Sequence, residues 1–259
     1  MRNIALITGA SSGIGKALAT IHAKTGGDLI IVARSKDKLD ALKEDLEEKY
    51  GCEVKVIVKD LTQPNAPKEI FETILEEKIA INYLINNAGF GGRGKFHERD
   101  WHDDHNMIQL NIVALTALCR YFLPRFVDRN EGRILNVSST ASLMAGPMQA
   151  VYFATKAYVT SFSNAIAEEL HDTNVTVTAL LPGATDTGFA KTADMDKTAL
   201  FKEAFSAEEV AQTGYDAMLA GELEVLAGVS FAQKAMMKAV PLTPKKILLK
   251  QVRKMQEVD

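Results

Sequence analysis

Apolar and polar positions along the chain switch between two periods. Short, continuous apolar runs rich in β-branched residues fall at residues 4–8, 29–33, 54–58, 83–85, 133–137 and 175–181, with a weaker one near 223–226. Runs of this length predict strands covered on both faces. Between them apolar residues recur every three to four positions, which predicts helices over 14–24, 36–50, 67–78, 101–127, 150–170 and 207–220. Local punctuation agrees: Gly51 follows the second helix as a stop, Pro67 suits a first turn, and Ser206 with Glu209 has capping-box spacing. Strand and helix alternate, so the expected fold is α/β: a doubly wound, mostly seven-stranded parallel sheet with helices on both faces.

Length and composition narrow this to one unit. A chain of 259 residues can bury a sizeable core without dividing, and it contains no low-complexity linker and no fixed-period repeat. The single domain is expected to span residues 1–229, followed by a tail at 230–259. The formal charge of −3 is unevenly spread. The tail carries seven basic residues against Glu257 and Asp259, a net +5, which leaves −8 for residues 1–229. Interleaved Phe231, Met236, Met237, Val240, Ile247, Leu248 and Leu249 make the tail an amphipathic segment. It is expected to pack on its own domain or on a partner subunit, with weak association to an anionic surface as the other reading. No nucleic-acid site follows from it. Apolar stretches are interrupted by charge or proline, no cleavage site follows the N-terminus, and Cys52 and Cys119 have no metal spacing, so a soluble cytoplasmic protein is expected.

The chemistry gathers where strands end. Ligands of open parallel sheets bind beyond the carboxyl ends of the strands, and those ends carry Thr8-Gly9, Arg34, Asp60, Asn86-Asn87-Ala88-Gly89, Ser138-Ser139 and Pro182-Gly183. The first turn, TGASSGIG over residues 8–15, has glycines at Gly9, Gly13 and Gly15. Glycine there lets backbone amides approach a pyrophosphate at a helix N-terminus. About 20 residues on, where an acid would take a ribose 2′-hydroxyl, stands Arg34. A guanidinium favours a 2′-phosphate, so NADP(H) is expected over NAD(H), unless Asp37 or Asp40 turns inward.

Tyr152 and Lys156 stand four residues apart, on one face of a helix. Lowering a phenol by about 3 pH units takes roughly 4 kcal/mol. One ammonium about 4 Å away at an effective dielectric of about 20 is worth a similar amount, so the pair can make a tyrosine a proton donor.

Together these motifs resemble the short-chain dehydrogenase/reductase family over residues 4–190, and more loosely to 228. They are TGASSGIG (8–15), Asp60-Leu61, NNAG (86–89), Asn111, NVSS (136–139), YFATK (152–156) and PGATDT (182–187). The glycine spacing resembles the shorter, single-domain branch. The resemblance implies a Rossmann-like fold, NAD(P) binding and carbonyl/alcohol oxidoreduction. It implies that Tyr152 donates the proton, that Lys156 lowers its pKa and bonds the nicotinamide ribose, and that Ser139, thirteen residues before Tyr152, binds the substrate oxygen. Asn111 would hold a water in a proton relay. Cofactor contacts would come from Gly9, Ser11, Ser12, Gly13, Ile14, Gly15, Arg34, Asp60, Leu61, Asn87, Ala88, Gly89, Tyr152, Lys156, Pro182, Gly183, Thr185 and Thr187. A homodimer or homotetramer through helices 101–127 and 150–170 is implied as well.

Substrate preference is expected from residues 90–96, 143–149 and a mobile lid at 188–205, where Phe189, Met195, Leu200, Phe201 and Phe205 offer an apolar inner face for a small-molecule carbonyl or alcohol. Arg93 and Lys95 either attract an anionic group or are plain surface charges. No metal is expected: His102 and His105 belong to the polar first turn of a helix. The competing function is a non-catalytic NADP(H)-binding regulatory or scaffold protein; a lyase or epimerase using the same tyrosine is a third.

Overall fold

The computed structural model describes residues 3–189, 193 and 204–256. Its centre is a seven-stranded sheet in which every pairing is parallel: β1 (Ile4–Thr8), β2 (Asp28–Ala33), β3 (Val54–Val58), β4 (Tyr83–Asn86), β5 (Gly132–Val137), β6 (Val175–Pro182) and β9 (Glu224–Ala227), ordered β3-β2-β1-β4-β5-β6-β9. A second, two-stranded sheet pairs β7 (Thr185–Asp186) with β8 (Phe205–Ser206).

Alternation along each strand divides the core. Ala5 and Ile7 of β1 face one layer, with Leu18, Leu39, Leu46 and Met218; Leu6 faces the other, with Ile70, Phe122, Phe126 and Val159. The first layer is closed by α1 (Gly13–Lys24), α2 (Lys36–Tyr50) and α7 (Ala207–Ala220). The second is closed by α3 (Ala66–Glu76), α5 (Leu115–Arg129) and α6 (Ala150–Glu169). Helix ends fall where the punctuation puts them. Gly51 caps α2 at φ +60°, and Ser206 and Glu209 form a reciprocal capping box on α7.

The long helix expected over 101–127 is continuous from Trp101 to Arg129 but not uniform. α4 (Trp101–Ile108) runs into a π turn (Gln109–Ala114) before α5 resumes. By length, and by a mean hydropathy of 1.3 over an 18-residue stretch within it, this helix could cross a bilayer. Here Leu115, Leu118, Cys119, Phe122 and Phe126 are instead buried in the layer against the sheet.

The tail forms α8 (Phe231–Ala239) and α9 (Lys245–Gln256), and it packs on its own domain: Val252 joins Met107, Ala141, Tyr152 and Phe153 in a third apolar cluster. The expected lid at 188–205 falls mostly outside the described residues, Met195, Leu200 and Phe201 included.

Candidate active site

β1 leads through α1 and α2 to β2 and β3 on one side, while the chain crosses to β4 on the other. The carboxyl ends of β1 and β4 therefore border a crevice. A cavity of about 1030 Å³ opens there. Its walls include every expected site residue except Gly15 and Asn111.

At one end lies the glycine turn. Gly9 and Gly13 take φ of +68° and +52°, where a side chain would be strained. A Cβ on Gly13 would come within 2.9 Å of Thr187, and one on Gly9 within 2.9 Å of the Ala88 backbone. Ser11 to Ile14 border the cavity, the Ser12 side chain caps no amide of α1, and no acid occupies the helix's first turn. The α1 N-terminus is thus suited to an anion, and the turn fits a dinucleotide pyrophosphate. Gly15 serves the fold, since a Cβ there would collide with the Asn87 amide and the Gly9 carbonyl. Asn87 in turn donates from Nδ2 to Thr8 O at 2.9 Å, and Thr8 Oγ1 accepts from the Asn87 and Ala88 amides, each at 3.0 Å. This bracing ties the β4 end to the β1 end.

Beyond β2 the cavity rim is basic. Arg34, Lys38 and Lys59 line it, with Ser35 between the first two. Asp40 is engaged by Lys36, and neither Asp40 nor Asp37 lines the cavity. Asp37 and Asp40, the acids nearest Arg34 in sequence, thus lie off the wall, whereas Asp60 lines it. One oxygen of Asp60 accepts from the Thr62 amide and hydroxyl, at 3.0 and 2.9 Å.

The other end holds the reactive side chains. Tyr152 and Lys156, one turn apart on α6, are 8% and 5% exposed. The ammonium donates to the Val137 carbonyl at 2.8 Å and lies 5.9 Å from the phenol ring centre. The two neighbouring serines separate by role. Ser138 donates to Lys156 O at 2.9 Å and meets Thr160 at 2.7 Å, which occupies it in fixing α6 on β5. Ser139 faces the cavity near Tyr152, its Oγ accepting from the Ala141 amide at 3.1 Å and donating to Pro182 O at 3.5 Å. Burial pushes the phenol up to about 12, with the neighbouring Ser139 hydroxyl pulling the other way. The same burial pushes the ammonium down to about 8. Dry surroundings penalise both charged forms, and the phenol keeps its proton at neutral pH.

Asn111 stands behind the cavity wall, in the π turn. Its Nδ2 donates to Phe90 O at 2.9 Å and Thr155 Oγ1 at 3.1 Å, while Oδ1 accepts from the Phe90 amide at 3.2 Å. Its side chain is thus spent on holding the 90–96 loop. A further polar ladder crosses the sheet below: Asn86 Nδ2 donates to Asn136 Oδ1 at 2.9 Å, and Asn136 Nδ2 donates to Ser163 Oγ at 2.9 Å. The Cys119 thiol beside it is pushed up to about 12 by burial and is inert as a nucleophile.

Sequence reasoning did not assign the tail to this site. Met236, Met237, Leu248, Val252 and Met255 line the cavity, and Gln149 Nε2 donates to Gln256 Oε1 at 2.6 Å. Arg93, read as an anion attractor or a surface charge, donates to Gln256 O at 3.3 Å and so ties the 90–96 loop to α9. The only hint was the four-residue spacing of Leu248, Val252 and Gln256, which marks a buried helix face without saying what it covers.

Comparison with known proteins agrees with this geometry. The family model for short chain dehydrogenases matches residues 3–198. Very-long-chain 3-oxoacyl-CoA reductase of Bos taurus is 34% identical over 193 residues, covering 72% of this chain and 61% of that protein, so the match spans about three fifths of that relative's length. The 7beta-hydroxysteroid dehydrogenase of Collinsella aerofaciens is 29% identical over 86% of this chain and 85% of its own. Among solved structures, a short-chain dehydrogenase from Sphingobium yanoikuyae in complex with NADPH superposes with a TM-score of 0.82 at 35% identity, covering 92% of this chain and 93% of that one. With the parallel sheet, the glycine turn and the tyrosine–lysine pair on one cavity, the chain belongs to the short-chain dehydrogenase/reductase family of NAD(P)-dependent oxidoreductases.

Proposed function

We propose that the protein is an NADPH-dependent reductase that converts an apolar ketone or 3-oxoacyl compound to the alcohol, reversibly, with Tyr152 as proton donor. The observation that carries this reading is the common cavity: Ser139, Tyr152 and Lys156 at one end, the glycine turn and Arg34 at the other. The bound dinucleotide supplies the hydride. The chain's own residues manage the oxygen. Ser139 Oγ donates to the carbonyl oxygen and orients it toward Tyr152 Oη. As negative charge grows on that oxygen, its basicity overtakes that of a phenolate held near 12, and the Tyr152 proton transfers to it. Lys156 supplies the positive charge that steadies the resulting phenolate inside a dry wall.

The substrate class rests on the lining. Phe90, Phe153, Phe189, Met144, Met236, Met237 and Met255 make that part of the wall apolar, and thioether side chains adapt to varied shapes. The two named relatives act on a fatty acyl thioester and on a steroid by their names, both largely apolar. NADPH consumption over a panel of apolar ketones, 3-oxoacyl thioesters and oxosteroids tests the assignment. Nucleotide binding with no turnover of any carbonyl would favour the regulatory reading instead.

Cofactor choice is tested separately. Removing the Arg34 guanidinium forfeits a paired, charge-assisted contact worth about 2–3 kcal/mol. Arg34→Ala should raise KM for NADPH roughly 30- to 150-fold and leave KM for NADH within about threefold. Equal losses for both nucleotides would remove the 2′-phosphate assignment.

A further inference from the structure

Among the described residues, the faces of α8 and α9 that point away from the cavity carry large exposed apolar side chains. Phe231 is 88% exposed and Leu242, in the turn between the helices, 87%; Ile247, in the first turn of α9, is half exposed. Lys246, Lys250 and Lys254 follow at intervals of four on α9, opposite the buried Val252 and Gln256, and so form one outward stripe. Lys234 sits one turn from Phe231 on α8. The basic charge is concentrated here, +5 beyond residue 229 against −8 before it. We propose that this two-helix face docks on an anionic lipid bilayer, with Phe231 and Leu242 entering the headgroup boundary and the lysine stripe lying against the phosphates.

Three observations select a membrane over other partners. Large, almost fully exposed apolar side chains flanked by lysines match an interfacial helix face, whereas a nucleic acid would reward the lysines but not Phe231 or Leu242. A two-fold contact with a second copy would set this basic face against itself, which like-charge repulsion opposes. The opposite faces of the same helices, through Met236, Met237 and Met255, line the cavity, so docking would bring the bilayer next to the cavity wall. An apolar substrate could then pass from lipid to site with little exposure to water.

The test is flotation of the full-length protein with liposomes of phosphatidylcholine alone and of phosphatidylcholine with 30% phosphatidylglycerol. Binding is expected to the anionic vesicles only. Each lysine near the surface contributes about fivefold in partitioning, so the triple variant Lys246→Glu, Lys250→Glu, Lys254→Glu should lower it at least about a hundredfold. The pair Phe231→Asp, Leu242→Asp should abolish binding to the anionic vesicles at the same ionic strength. None of these five side chains lines the cavity, so activity on a water-soluble ketone serves as the control for folding. Failure to bind anionic vesicles overturns the proposal, and so does binding that the apolar pair does not change. Light scattering supplies the last outcome: a wild-type oligomer that becomes monomeric in the Phe231→Asp, Leu242→Asp variant would assign the face to a second copy and also overturn it.

Discussion

Tyr152→Phe should lower kcat/KM for carbonyl reduction about a thousandfold while the dissociation constant for NADPH stays within about twofold. The substitution removes one oxygen and leaves the ring packed against Phe189, whose centre is 5.4 Å away, and Phe153, at 6.1 Å. Fold and cavity are therefore preserved, and the loss measures proton donation, which contributes roughly 10²–10⁴ in enzymes of this kind. Stopped-flow measurement of NADPH oxidation beside nucleotide titration separates the two quantities. A rate within tenfold of the wild type would show that another group, or water, protonates the alkoxide.

Lys156→Met should abolish turnover and stabilise the protein at the same time. The ammonium is held at about 8 instead of 10.5 by burial, a penalty of about 3 kcal/mol at neutral pH. Methionine removes that penalty and also the hydrogen bond to Val137, worth about 1 kcal/mol, leaving a net gain of about 2 kcal/mol. For a domain of this size that is a rise in Tm of about 4–8 °C, measured by calorimetry with no added nucleotide. The pH dependence identifies the cause. Between pH 8 and 10.5 the unfolded chain binds more protons than the folded one, so the wild type gains stability as pH rises through that window. The difference from Lys156→Met should therefore narrow above pH 8, close before 10.5, and reverse slightly there as the hydrogen bond to Val137 outweighs what remains of the penalty. A gap independent of pH, or a lower Tm for the variant, would mean that the lysine is not penalised by burial. A cation kept in the site against its own solvation is the form that a stability cost for function takes here.

Much of this was legible because the signals are local. The strands sit where β-branched runs occur, and Gly51 and Ser206 end and begin helices for reasons contained within four residues. The reactive pair was legible from a spacing of four. What escaped the sequence depends on neighbours that only folding supplies. The π turn at Gln109–Ala114 has no local marker, and it holds Asn111 against a loop twenty-one residues away. Lys59 joins Arg34 at the rim only because β3 lies beside β2. Burial also pushes the Tyr152 phenol upward, and desolvation, unlike neighbouring charge, cannot be guessed from spacing. The tail showed an apolar stripe in sequence, but nothing in it specified that the stripe would wall the site.

The amide ladder from Asn86 through Asn136 to Ser163 has a consequence for precision. Asn86 and Asn136 are directly paired across β4 and β5, three residues before Gly89 and Ser139, and Ser163 lies two turns along α6 from Lys156. A slip of one residue between these strands, or a twist of the helix above them, would strand primary amides in a water-free layer. The ladder acts as a jig: it indexes two strand tips and one helix to a common origin, so the reacting groups inherit their alignment from hydrogen bonds that never touch the substrate.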